Sequence, residues 1–185
     1  MTDRFEYLDA LETLVRHRVT FVVIGGVAAN LRGSPTVTQD IDVCYRRDPE
    51  NLERMASALN QLHARLRGAP ADAPFRLDAK TLKLGDRFTF ATDVGSVDIL
   101  GHPSGVPGGY DELERAADDF EILPGVSVKV ASIDDLIRMK RGAGRRKDLI
   151  EVEVLGALRD EIDARALAER RRRREARRRS STNRR

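Results

Sequence analysis

Apolar residues at Phe5, Leu8, Leu11, Leu14 and Val15 recur at helical spacing and predict an amphipathic helix over residues 3–17. The unbroken apolar run Phe21-Val22-Val23-Ile24 meets Gly25-Gly26 and continues as Val27-Ala28-Ala29-Asn30-Leu31. It reads as a buried strand over 20–25 that passes through two glycines into a helix over 26–32, ending at Gly33. After the Ser34-Pro35 loop, polar and apolar residues alternate in Asp40-Ile41-Asp42-Val43, which predicts a half-buried strand over 40–45. Asp48-Pro49-Glu50 is a helix start, with Asp48 as N-cap and Pro49 at the first position, and that helix is expected to run to about residue 66. Residues 68–74 form a loop, followed by strands over 75–83, 86–92 and 95–100 that are separated by Gly85 and Gly95. The glycine- and proline-rich stretch 101–109 is a loop directly after the strand that carries Asp98. A short helix from about 111, a strand pair over 120–130 and helices over 133–141, 145–158 and 160–178 complete the pattern, with Ser132 and Asp135 as a capping box.

Strands and helices are therefore mixed, with the helices heaviest at the end. The fold class is α+β (mixed α/β) in one globular body of 185 residues without internal repeats. Charge divides this body from its end. Residues 165–185 hold eleven arginines against two glutamates, so their nine excess positive charges exceed the chain's net +3 by six, leaving −6 on residues 1–164. An acidic body with a basic end fits a cation-binding carboxylate site beside an electrostatic arm for a polyanion, not a uniformly basic nucleic-acid coat.

Other features narrow the class. The single cysteine, Cys44, lies within the strand pattern and leaves no internal disulfide. His17, His63 and His102 lack zinc-site spacing. The opening residues lack a signal-peptide core and no apolar run approaches a membrane span, so a cytoplasmic protein without membrane contact is expected. The absence of tryptophan and an aromatic content of 5% argue against a base-stacking platform.

The chemistry concentrates in three carboxylates. Residues i and i+2 of a strand share a face about 7 Å apart, so Asp40 and Asp42 stand together while Ile41 and Val43 fill the other side. Asp98, between Val97 and Ile99, is a charge in an apolar strand and calls for a counter-ion. Three carboxylates at one sheet edge suit hard divalent cations and phosphate chemistry. Gly25 and Gly26 leave bare backbone where a phosphate can approach.

Gly25-Gly26, Thr38-Gln39-Asp40-Ile41-Asp42-Val43 and Val97-Asp98-Ile99 together resemble the signature of the nucleotidyltransferase superfamily that includes DNA polymerase β. The form of the first two motifs, with Lys140, Arg145, Lys147 and Asp148 farther on, is similar to the branch holding the AbiEii and MenT toxins. The resemblance spans roughly residues 20–155. It implies a mixed β-sheet flanked by helices: a nucleotidyltransferase core over 1–130, helices over 131–164 that complete the active site, and the arginine-rich tail over 165–185. It further implies Mg²⁺ or Mn²⁺ on Asp40, Asp42 and Asp98, a nucleoside triphosphate at Gly25, Gly26, Thr38 and Lys140, and Asp148 as a further catalytic residue. The activity implied is transfer of a nucleoside monophosphate to an acceptor, foremost the 3′ end of tRNA, by the toxin of an AbiE-like type IV toxin–antitoxin pair with a cognate antitoxin. RNA contact would fall to Arg145, Arg146, Lys147 and Arg170, Arg171, Arg172, Arg173 and Arg174. A protein-modifying (AMPylating) transferase and a non-catalytic RNA- or partner-binding module on the same scaffold are the alternatives. The chain departs from the pattern in three respects: it is shorter than many AbiEii proteins, so an extended C-terminal substrate domain is not expected, and two site positions differ. Gly26 stands where many relatives carry serine, and Pro35 is followed by Thr36 where relatives often carry arginine, with Arg32 the nearest substitute.

Overall fold

The computed structural model describes residues 6–36, 38, 40–70 and 75–182, with the side chains of 6 and 173–182 excepted. The first helix, α1 (Glu6–Arg16), leads into β1 (Phe21–Ile24), whose four residues are all buried. Gly25 turns the chain directly into α2 (Gly25–Leu31), which buries Val27, Ala28 and Ala29. β2 (Asp40–Tyr45) then returns antiparallel to β1. α3 (Pro49–Gln61) starts as expected, with the Asp48 carboxylate accepting the Asn51 N–H at 3.0 Å. Its Asn51 is almost wholly buried and fastens the start of β1. The amide accepts from Thr20 N at 2.7 Å and donates to Thr20 O at 2.9 Å and Arg46 O at 2.7 Å. Asn51→Ala is expected to cost about 3 kcal/mol, because buried backbone groups lose their partners. Chemical denaturation measures it, and an effect below about 1 kcal/mol contradicts the assignment.

The seven strands form one mixed sheet in the order β3-β4-β5-β2-β1-β7-β6. The outer strands on one side are β3 (Arg65–Leu66) and β4 (Arg87–Thr92), beside β5 (Gly95–Leu100). On the other side are β6 (Asp118–Leu123) and β7 (Val126–Val130). β1 runs parallel to β7 and β2 parallel to β5; the other neighbours are antiparallel. α1 packs on α3 and β7, and fully buried Leu11, Leu14, Met55 and Leu59 belong to the core between the helices and the sheet. α5 (Gly109–Leu113) continues into a single 3₁₀ turn, and α6 (Ile133–Ala143) packs against α2 and α7 (Arg146–Thr182). This is the mixed sheet flanked by helices that the motif resemblance implies.

Local departures have identifiable causes. The expected strand over 75–83 is instead the helix α4 (Ala79–Leu84), nucleated by Asp78, whose carboxylate accepts the Thr81 N–H at 2.8 Å. The helix expected to reach 66 stops at Gln61, because His63 takes a left-handed φ of 51° and Arg65–Leu66 pairs with Phe90 and Ala91 instead. The helices expected over 145–158 and 160–178 are one helix, since Arg159-Asp160 contains no breaker. No helix among the described residues is long and apolar enough to cross a membrane.

Candidate active site

Sheet register brings the carboxylates together. Asp42 lies directly opposite Asp98 across the parallel β2–β5 pair, and Asp40 opposite Ser96 one step along the same face. Ile24 flanks Asp42 on the other side, so the end of β1 and the glycine turn open beside the acids. Gly25 has φ +65°, and a Cβ there would overlap the Asp42 carboxylate. Both facts demand glycine. Gly25→Ala is expected to lower the melting temperature and to displace Asp42, reducing activity by about tenfold or more, as one-ångström misplacements do. Retained activity in a steady-state assay contradicts that packing.

Gly26 is constrained differently. A Cβ on it would stand 2.6 Å from Thr38 Cβ and 2.7 Å from Thr38 Oγ1, so Thr38 fills the space that a serine at this position would use. The missing arginine after Pro35 is not replaced by Arg32. Its guanidinium is committed to Ala131 O at 2.6 Å, Val130 O at 2.9 Å and Asp118 at 2.8 Å, above the Phe120 ring.

The opposite wall comes from the C-terminal helices. Ser132 caps α6, accepting the Asp135 N–H at 3.1 Å. The helix ends where Gly144 adopts the left-handed conformation, φ 65°, so Arg145 and α7 double back over Lys140. Asp148, with no exposed surface, accepts from Arg145 Nε at 2.7 Å and Arg145 N at 3.2 Å, and its other oxygen lies 3.5 Å from Lys140 Nζ. Glu151 contacts the same ammonium. Burial works to raise the Asp148 carboxyl, but the Arg145 hydrogen bonds and the Lys140 and Arg145 charges overrule it and hold it below the ordinary value. Asp148 thus sits behind Lys140 and Arg145 rather than on the cleft surface. Sequence reasoning missed Glu151 on this wall and Arg87 of β4 across the cleft, whose placement depends on non-local packing that single-sequence patterning does not carry.

The cleft between the two walls, about 640 Å³ with its open mouth, is lined by Gly25, Asp42, Arg87, Asp98, Lys140 and Arg145 among others. Ser104, from the loop expected to border the site, also lines it. Gly105 and Gly142 permit the approach: a Cβ on Gly105 would stand 2.7 Å from Arg138 O, and one on Gly142 2.7 Å from Gly105 N. Of the expected RNA contacts, Arg145 borders the cleft. Arg146 and Lys147 are exposed, as are Arg170, Arg171 and Arg172 far along α7, while the side chains of Arg173 and Arg174 lie outside the described residues.

The carboxylates crowd one another. Burial, then Asp98, push the Asp42 carboxyl up to about 6, with Asp40 adding and Lys140 and Arg145 opposing. Burial also raises Asp98, against a hydrogen bond from Thr89 and the positive Arg67. Asp98 Oδ1 is buried and has no hydrogen-bond partner among the described residues. A buried orphan oxygen beside a second half-buried carboxylate fits a hard divalent cation, which would relieve both. Among the described residues no three His, Cys, Asp or Glu side chains enclose a point. Mg²⁺ is commonly held by only one or two carboxylates, with phosphate and water at its other positions.

No protein-family model matches the chain, and no curated protein sequence matches it. Among solved structures, TM1012 of Thermotoga maritima, assigned as a nucleotidyltransferase, is 19% identical with a TM-score of 0.46, over 88% of this chain and 96% of its own. The antibiotic-resistance factor ANT(2'')-Ia is 13% identical with a TM-score of 0.50, over 92% of this chain and 96% of its own. The chain thus shares its fold with ANT(2'')-Ia along nearly its whole length, and a mixed sheet flanked by helices is the architecture that the motif resemblance implies.

Proposed function

We propose that the protein is a divalent-metal-dependent nucleotidyltransferase that moves a nucleoside monophosphate from a triphosphate onto RNA, foremost the 3′ end of tRNA, as the toxin of a toxin–antitoxin pair. The observation that carries it is the register: Asp42 against Asp98, Asp40 on the same face, with Lys140 and Arg145 across one cleft. Asp40 and Asp42 would hold Mg²⁺ or Mn²⁺, with Asp98 completing the set. When bound, the ion would neutralise triphosphate charge and favour the alkoxide form of the acceptor. Lys140 would act as a point charge on the phosphates and Arg145 as a fork, while Asp148 would hold both in place from behind. Asp98 would accept the proton as the acceptor oxygen bonds to the α-phosphorus and the bond to pyrophosphate breaks.

The test is incubation with α-labelled nucleoside triphosphates, Mg²⁺ and total tRNA. Label in the RNA is expected with the wild type and not with Asp40→Ala; equal label with both overturns the reading. Label in a protein band instead replaces RNA by a protein acceptor. Expression of the wild type is expected to arrest growth of its host and Asp40→Ala to permit it, which is the toxin part of the proposal.

A further inference from the structure

The carboxylate face continues outward across β5, β4 and β3. Asp98 is opposite Thr89, Ser96 opposite Ala91 and Leu100 opposite Arg87, while Arg65 is opposite Ala91 in the next pair. Arg67 N donates to Thr89 O at 2.9 Å, which brings Arg67 alongside the same row. Its guanidinium reaches over this face, 3.4 Å from Ser96 Oγ and 3.8 Å from Asp40 Oδ1. Arg87 lines the cleft from the same side and, among the described residues, has no salt-bridge partner. Between the two arginines the floor is made of the short side chains of Thr89, Ala91 and Ser96.

We propose that Arg67 and Arg87 form a second anion-binding wall, facing Lys140 and Arg145 across the carboxylates, that seats the phosphodiester backbone of the RNA acceptor. This rests on the nucleotidyl-transfer reading above and names the site of its second substrate. With Lys140 and Arg145 assigned to the triphosphate from the helical side, Arg67 and Arg87 on the sheet side are left for a different phosphate. Both sheet-side arginines are exposed, and both act on Asp98 without pairing closely with it. A planar guanidinium matches phosphate oxygens in bidentate fashion. The floor between the arginines offers a protein acceptor no aromatic anchor, because the cluster of Phe75, Phe88 and Phe90 belongs to the other face, where Phe88 and Phe90 pair with Ile99 and Val97. It offers bases no ring to stack on either, which leaves the sugar–phosphate backbone as the recognised chemistry.

The experiment is filter binding of labelled bulk tRNA to the full chain across a range of NaCl concentrations. The arginines of α7 remain in every variant, so differences report the wall alone. The double variant Arg67→Ala/Arg87→Ala is expected to bind about tenfold more weakly, with a log K against log [salt] slope flatter by about 2. The variant Arg67→Lys/Arg87→Lys keeps the slope if charge is the operative property. Stabilisation by Mg²⁺ and α,β-methylene-ATP in a thermal-shift assay is followed in parallel; it is expected in the wild type and the lysine variant, and the alanine variant, which removes the cleft-lining Arg87, is expected to keep only part of it. An unchanged slope in the alanine variant overturns the proposal. So does unchanged tRNA binding accompanied by loss of label in a lysate protein, which assigns the wall to a protein acceptor. If the wild type shows no nucleotide-dependent shift while the alanine variant loses tRNA, the wall stands and the nucleotidyl-transfer reading fails.

Discussion

Asp42→Asn is expected to reduce nucleotidyl transfer by at least about 10²–10³-fold, because it removes a carboxylate from the centre of the site while preserving its shape. The same substitution is expected to stabilise the metal-free protein. The carboxyl has been pushed up to about 6 in the fold from an ordinary value of 3.8. A raised carboxyl contributes its stability below the ordinary value and loses it as pH rises through about 6, where ionisation is forced on a half-buried group beside Asp98. The difference is worth at most about 3 kcal/mol. The asparagine variant should therefore melt above the wild type at pH 7.5 without metal, and this gain should vanish near pH 4. Millimolar Mg²⁺ should raise the wild type's melting temperature and leave the variant's unchanged. Calorimetry at the two pH values, with and without Mg²⁺, checks all three statements; a variant less stable than the metal-free wild type at pH 7.5 refutes the crowding account.

The second large effect is expected at Asp148. Asp148→Ala removes the anion against which Lys140 and Arg145 are fixed, together with the acceptor of the Arg145 N–H at the start of α7. Removing one partner of a buried pair costs about 3–5 kcal/mol. Here about 2–4 is expected, since the Arg145 side chain is 61% exposed and can rehydrate, and Lys140 keeps Glu151. The sign with pH is opposite to that at Asp42. A carboxyl held below its ordinary value contributes stability above that value and loses it as pH falls through the folded value, so the wild-type advantage should shrink in acid. Because Asp148 acts through its partners, its loss should raise KM for the triphosphate more than it lowers kcat. Asp148→Glu, which keeps the charge, should recover part of the affinity. A variant of wild-type KM that is merely less stable would confine Asp148 to a structural role.

These two residues also mark the limits of what the chain discloses before folding. Asp40 and Asp42 were legible because alternation with Ile41 and Val43 assigns them one face of one strand. Asp98 was suspicious as a charge between two apolar neighbours. That Asp42 and Asp98 stand side by side was not legible, since parallel pairing of segments more than fifty residues apart depends on the whole strand order. Asp148 is one polar position in a charged stretch; only the left-handed turn at Gly144 brings it back under Lys140. The strand expected over 75–83 failed because alternation there competes with the Asp78 cap, and capping decided it. The walls of arginine drew no notice for the same reason as the aspartate pair: Arg67 and Arg87 meet the carboxylates only through cross-strand neighbours.

The width of the cleft is fixed by two side chains that do not exist. Where the loop after β5 crosses α6, Gly105 and Gly142 bring main chain against main chain, and no rotamer is available to absorb an error. A methyl group at Gly142 acts as a shim between the strand that carries Asp98 and the helix that carries Lys140. The distance between the acids and the cations is thus tunable from a residue that touches neither.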